Sequence, residues 1–235
     1  MPELKPANIN EPKQDRSRAS FERVLEASVE LLKENGYDGF TLQEVSRRSK
    51  TSIGSIYCRV KGKDDLFRAV QVHVLARLDA EMEKILNPAK WENLEPAKLL
   101  HFLVREVGEF LRRNGPILRA FIAHERRDLV VWKTGKQSHA RLASRFDRIL
   151  LLHAAEFTHP KPEQAAIFCF NLTFSMLARH LDLDTITPSL DGSNWNQLLD
   201  DIGHILCLYL LGRDSSAESP GRARQISPKT EALSA

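Results

Sequence analysis

Cysteine is scarce in this chain of 235 residues. Cys58, Cys169 and Cys207 are too few and too far apart for a disulfide framework or a zinc cluster, so reduced thiols are expected. Long apolar runs are missing as well. None approaches the ~20 residues a membrane span needs, and Met1 to Glu11 holds acid, Pro and Asn where a signal peptide has an apolar stretch. The expectation is a soluble chain that stays in the cytoplasm and has no membrane partner. Charge of one sign is lacking too: Lys and Arg number 34 against 31 Asp and Glu, a net charge of +3. A balance so even does not mark the whole molecule as a nucleic-acid binder, and any such function must be local. The sequence also contains no G-x-S-x-G, no G-x-x-x-x-G-K-[ST] and no H-E-x-x-H. Nothing therefore supplies a nucleophile elbow, a phosphate cradle or a zincin site, and neither catalytic residues nor cofactors are assigned.

What is present is ordinary globular material, 42% apolar and 28% charged, close to the soluble average. Residues 1–16, with three prolines among polar residues, read as a flexible N-terminal arm, and residues 213–235, rich in Ser, Pro, Gly and Ala, as a disordered tail. Between them the chain reads as helical throughout. Phe21, Val24, Leu25, Ser28, Leu31 and Leu32 recur at three- and four-residue steps over Ser17 to Asn35, and Gly36 sits where a left-handed C′ residue is wanted. Thr41 with Glu44 has capping-box spacing and opens a short helix ending near Ser49. Lys50 and Thr51 make a turn. Ser52 then caps a third short helix from Ile53 to Arg59 or Val60. Two helices of seven or eight residues joined by such a turn are a helix-turn-helix. Longer amphipathic helices are expected over 63–85, 96–113, 116–126, 129–157, 162–182 and 194–211, with no alternating run long enough for a strand. The fold class is all-α, with an N-terminal helix-turn-helix domain (17–68) followed by a larger helical bundle (69–212).

Residues 41–63 hold six bases (Arg47, Arg48, Lys50, Arg59, Lys61 and Lys63) and one acid, Glu44, a local charge of +5. DNA rewards such clustering by counterion release, and a short helix fits the major groove, ~12 Å wide. The rest of the chain is slightly acidic, which leaves a basic head on a body that DNA repels.

The stretch TLQEVSRRSKTSIGSIYCRVKGKDDLF, from Thr41 to Phe67, together with the preceding VLEASVELLKENGYDGF, resembles the helix-turn-helix of the TetR-family transcriptional regulators. The resemblance covers roughly residues 18–70. It implies a recognition helix from Ser52 to Arg59 whose first residues face base edges. Ile53 would pack on a thymine methyl, Gly54 would leave no side chain between backbone and DNA, and Ser55 would bond to a base edge or phosphate. Tyr57 and Arg59 are placed at phosphate or sugar, with base reading by Arg59 as a second possibility. Thr41 would cap its helix beside the DNA backbone, and Lys63 would share a phosphate with the free amides of the next helix. Three positions depart from the family pattern. Lys50 stands at a turn position usually held by Gly, Val60 where an aromatic is common, and Cys58-Arg59 where His and Tyr are frequent. Cys58 reads as a spectator thiol, or as a redox-responsive one among Arg59 and Lys61.

Beyond residue 70 only periodicity speaks. The helices at 162–182 and 194–211 are the most apolar, more so than one small bundle can bury, and the resemblance implies that they pair with their twofold mates in a homodimer. Such a dimer presents the two half-sites of a palindromic double-stranded DNA operator. An effector pocket for a largely apolar small molecule is expected inside the bundle, lined by Leu103, Phe121, His124, Phe146, Asn171 and Phe174. The whole reads as a repressor released from its operator by that ligand. The alternative is an interaction module that keeps the helix-turn-helix as a structural remnant. Glu156 with His159 and Asp201 with His204 have the i, i+3 spacing of di-iron bundles, but bridging carboxylates are not evident and no metal site is assigned.

Overall fold

The computed structural model describes residues 11–183 and 194–212, with side chains from residue 17 onward. Residues 1–10 of the expected arm and the tail at 213–235 lie outside the described residues, whereas residues 11–16, expected to belong to the flexible arm, are helical. Among the described residues eight α-helices follow one another: α1 (Glu11–Gly39), α2 (Leu42–Ser49), α3 (Ile53–Tyr57), α4 (Lys63–Ile85), α5 (Pro96–Glu125), α6 (Leu129–Leu150), α7 (Pro162–His180) and α8 (Trp195–Leu211). Short 3-10 turns span Pro88–Lys90 and Leu151–Glu156. Among the described residues there is no strand, so the fold is all-α.

The first three helices follow local sequence rules. The face of α1 spaced at three and four residues is buried at Val24, Leu25, Ser28, Leu31 and Leu32. Gly36 breaks the run at φ 62°, a value that glycine reaches without cost. α1 begins at Glu11, ahead of the expected Ser17. Lys50 ends α2 in the left-handed region at φ 50°, ψ 38°, with its amide donating to the Ser46 carbonyl. The expected capping box is only half formed. The Thr41 hydroxyl accepts from the Glu44 amide at 3.2 Å, but the Glu44 carboxylate turns to Arg47 and Arg48, where three charge-assisted bonds outweigh one bond to the cap amide.

In the larger domain α5 is the central helix, packed against α1, α6, α7 and α8. It runs unbroken through Gly115-Pro116, where the sequence suggested two helices. A proline inside a helix costs ~3 kcal/mol, yet Phe110, Leu111, Ile117, Ala120 and Phe121 on both sides of it are all buried, and a straight helix keeps them on one core. The opposite correction applies to the helix expected at 129–157. α6 stops at Leu150 and tightens into the 3-10 turn, with His153 at φ −113°, ψ 24° and its Nδ1 bonded to Glu156 at 2.8 Å. No helix of the described residues is long and apolar enough to cross a membrane.

Candidate nucleic-acid interface and effector cavity

The recognition segment is built around a single anchor. Ile56 is fully buried, while Ser52, Gly54, Ser55 and Arg59 are exposed and Ile53 and Tyr57 are 36% and 53% exposed. Tyr57 is therefore no core aromatic. The Ser52 hydroxyl caps α3 by accepting from the Ser55 amide at 3.2 Å, and the two serine hydroxyls lie 2.8 Å apart. A Cβ at Gly54 would meet nothing within 4 Å. The fold leaves that position open, so its lack of a side chain matters only to something outside the chain.

The basic surface is partly neutralised. Arg47 and Arg48 bracket Glu44, whose carboxyl is pulled down to about 2, chiefly by the Arg47 bond and then by Arg48. Arg48 also reaches Glu34 of α1 at 2.7 Å. Arg59 lies over the Phe21 ring, 5.0 Å from its centroid, and donates to Ser17. Among the described residues Lys50, Lys61 and Lys63 form no ion pair. Lys63 opens α4, whose N-cap, Gly62, supplies no side-chain hydrogen bond. Its ammonium stands 4.0 Å from the centre of the Tyr37 ring, a cation-π contact that fixes it at the amide end of the helix. The expected +5 stopped one residue short of two acids. Asp64 accepts from the Tyr37 hydroxyl, and Asp65 accepts from the Lys61 amide and from Arg68, both at 3.2 Å. Burial, and then Asp64, push the Tyr37 phenol up to about 12, so it stays a donor.

The larger domain encloses a cavity of about 320 Å³ between α4, α5, α6 and α7. Its walls are mostly apolar, with Leu75, Met82, Phe121, Leu142 and Phe174 among them, and Gln71, Glu125 and Gly135 meet at one side.

Residues 24–70 match the family model of bacterial regulatory proteins, tetR family. Over 61 residues, 26% of this chain, the sequence is 36% identical to the tetracycline repressor protein class D of Escherichia coli, a match spanning 28% of that relative. The class H protein of Photobacterium damsela subsp. piscicida is matched to the same extent. The likeness continues in the fold. A Mesorhizobium loti MAFF303099 protein assigned to the TetR-family transcriptional regulators superposes with a TM-score of 0.68 at 17% identity, covering 83% of this chain and 98% of that one. Residues 24–70 are thus similar to the N-terminal domain of the tetR family, and the fold of the chain is that of solved regulators described as TetR-family. A transcriptional regulator of Aquifex aeolicus VF5 (TM-score 0.55, 20% identity, 80% and 98% covered) shares the architecture. So does the regulator FadR of Bacillus subtilis, solved with stearoyl-CoA (TM-score 0.58, 15% identity, 79% and 97% covered).

Of the residues named as DNA contacts, Ile53, Gly54, Ser55 and Tyr57 lie on α3, Thr41 and Ser52 cap α2 and α3, Arg59 lies on the turn after α3, and Lys63 opens α4. The residues named for an effector are dispersed. Phe121 and Phe174 line the cavity. Leu103 and Phe146 are fully buried in the core outside its lining, with Phe146 packed on Phe170 at 5.5 Å, and Asn171 is exposed on α7. His124 lies at the junction with the first domain, against Phe67 and Tyr37. Periodicity does not reveal the polar lining at Gln71 and Glu125; the sequence signal for it is Gly135 in the middle of an amphipathic helix. Glu156 and His159 are engaged elsewhere, with His153 and with Lys161 and Tyr209. Among the described residues no group of three or more His, Cys, Asp or Glu is placed to hold a metal ion. Cys58 is exposed, and Cys169 and Cys207 are buried.

Proposed function

We propose that the protein is a cytoplasmic, sequence-specific DNA-binding regulator, a repressor that grips a palindromic operator as a homodimer and is released by a small molecule held in the bundle cavity. The unit at 17–68 is read as the DNA-binding domain and 69–212 as the effector and dimerisation domain. Binding, not catalysis, is the activity. The observation that carries this reading is α4. Its first residue, Lys63, belongs to the basic surface, and Gln71, Leu75, Leu78 and Met82 on the same helix line the cavity. A ligand that shifts α4 against α6 therefore moves Lys63 and the helix-turn-helix with it, and the two recognition helices of a dimer lose the spacing of the groove. That a FadR of this fold is found with stearoyl-CoA supports an effector with a large apolar part.

The test is to select bound fragments from genomic DNA and measure affinity for the recovered operator. Tyr57→Ala with Lys63→Ala should abolish specific binding while the thermal melt is unchanged. Unaltered binding would leave the helix-turn-helix as a structural remnant and favour an interaction module.

A further inference from the structure

At one side of the cavity two acceptors stand without a hydrogen-bond partner, Gln71 Oε1 and the Glu125 carboxylate. Gln71 is 1% exposed. Its Nε2 donates to the Val131 carbonyl at 3.0 Å, which fixes the orientation of the amide, because a carbonyl can only accept. The other end, Oε1, is buried without a partner. Such an orphan acceptor is rare in a native interior and signals a missing donor. Glu125, the last residue of α5, lines the same cavity and forms no ion pair among the described residues. Burial alone pushes its carboxyl up from the ordinary value. Gly135 faces both groups from α6: a Cβ there would sit 2.5 Å from Glu125 Oε1 and 3.8 Å from Gln71 Nε2. Glycine in mid-helix is unfavourable, and here its missing side chain is the space that the carboxylate occupies. Of the other ionisable groups of the lining, the His139 ring packs edge-on against Phe170 and Phe174. Asp79 accepts from Ser138 at 2.9 Å and from Arg141 at 2.7 Å, and the Lys136 ammonium lies over the Trp132 ring at 4.9 Å, both residues being exposed.

Given the effector cavity proposed above, on which this step rests, we propose that its ligand is a hydrophobic amine: an apolar body carrying one cationic N–H group, held by Glu125 and Gln71 Oε1. A single free carboxylate selects a single positive charge, and the orphan amide oxygen asks for a hydrogen on it. An acyl carboxylate or a phosphate at that position would meet the like charge of Glu125. The volume of about 320 Å³ lies at the lower end of the range for small-molecule sites, ~300–1,000 Å³, so the body is compact or a single chain.

Three probes with one tail separate the possibilities: dodecylammonium, dodecanol and dodecanoate, each below its micellar concentration, titrated calorimetrically into the full-length protein at pH 7. Dodecylammonium should bind at least tenfold more tightly than dodecanol, and dodecanoate most weakly. Glu125→Gln should erase the preference for the amine over the alcohol. Gly135→Ala should weaken the amine while leaving the charge in place and the helix at least as stable, and thermal melts verify that both variants fold. Equal or tighter binding of dodecanol or dodecanoate, or a preference that survives Glu125→Gln, overturns the assignment of the ligand class and leaves the effector cavity standing. If none of the three binds, the cavity reading falls with it. If dodecylammonium binds with the stated preference and the operator complex persists at saturation, the ligand class stands and release by this cavity falls.

Discussion

The imidazole of His124, near the end of α5, stacks on the phenol ring of Tyr37, with centroids 3.9 Å apart and planes 23° apart. The pair joins the two domains. Tyr37 carries the Lys63 ammonium on its ring, and His124 is followed directly by Glu125 in the cavity wall. Burial lowers the His124 pKa from the ordinary imidazole value, against the charges of Asp128 and Asp64, while Arg127 and Lys63 lower it further. The native state thus holds His124 neutral. A depressed folded pKa means that the unfolded chain binds the proton first, so stability is complete above the unfolded value of about 6.5 and is lost as pH falls through it. The expected outcome is a midpoint for His124 below 6.5 by NMR, and a melting temperature that drops between pH 7 and 5.5. His124→Phe should make that drop shallower, with a residue left from His139, whose pKa burial also lowers. A midpoint at or above 6.5 would contradict the burial argument.

Gly54 offers a substitution in which fold and function part. Because a Cβ there meets open space, Gly54→Ala should leave the melt unchanged or raise it, alanine being better in a helix by up to ~1 kcal/mol. Operator affinity should fall all the same, since the new methyl stands between α3 and the base edges. Gel-shift titration beside a thermal melt reads both. A variant that binds as tightly as the parent would place the DNA elsewhere.

Lys50 sits at φ 50°, a conformation that costs a side-chain-bearing residue roughly 1–2 kcal/mol. Lys50→Gly relieves this and gives back part through a looser unfolded chain, ~0.4–1 kcal/mol. The variant should be more stable by about 0.5–1 kcal/mol in urea unfolding. A loss of stability would mean that Lys50 makes a contact worth more than its strain.

These cases show which parts of the molecule are legible in its sequence. Caps, turns and three-four spacing are local, so Thr41, Lys50, Ser52 and Lys63 could be placed from their neighbours alone. Pro116 could not be, because whether a helix bends there depends on packing between α5 and helices far away in sequence, and that packing outweighs the local penalty. The cavity is a gap between four helices. Spacing identifies Phe121 and Phe174 as inward, but it identifies Leu103 and Phe146 as inward equally well, and only tertiary arrangement decides which of them faces a void. Glu125 follows His124, one step round the helix, and the two serve different surfaces.

Operator binding should carry the mark of its electrostatics. If Lys63 and its neighbours give each subunit of a dimer about three phosphate contacts, the logarithm of affinity should fall with the logarithm of salt at a slope of roughly −5. Lys63→Ala in both subunits should reduce the slope by nearly 2. Affinity independent of salt would remove the basic surface from the account.

Ile167 and Phe168 are 54% and 50% exposed, and Ile205, Leu208 and Tyr209 are 47%, 45% and 36% exposed. Phe168 and Tyr209 touch across the two helices with centroids 5.1 Å apart, so the exposed residues form a patch shared by α7 and α8. A contiguous apolar patch of this kind is uncommon on a monomer's surface, and a twofold axis through it would let the same patch serve both partners. If the homodimer closes here, Phe168→Glu buries a charge at the centre of the interface, and truncation at such a centre costs ~2–4 kcal/mol. The dimer dissociation constant should rise by about 30-fold or more, light scattering at micromolar concentration should show monomer mass, and operator affinity should fall with it, because a single recognition helix reads one half-site. Glu substituted at exposed Arg126, on the turn between α5 and α6, should leave the mass unchanged. A parent protein of monomer mass under the same conditions would refute the dimer itself.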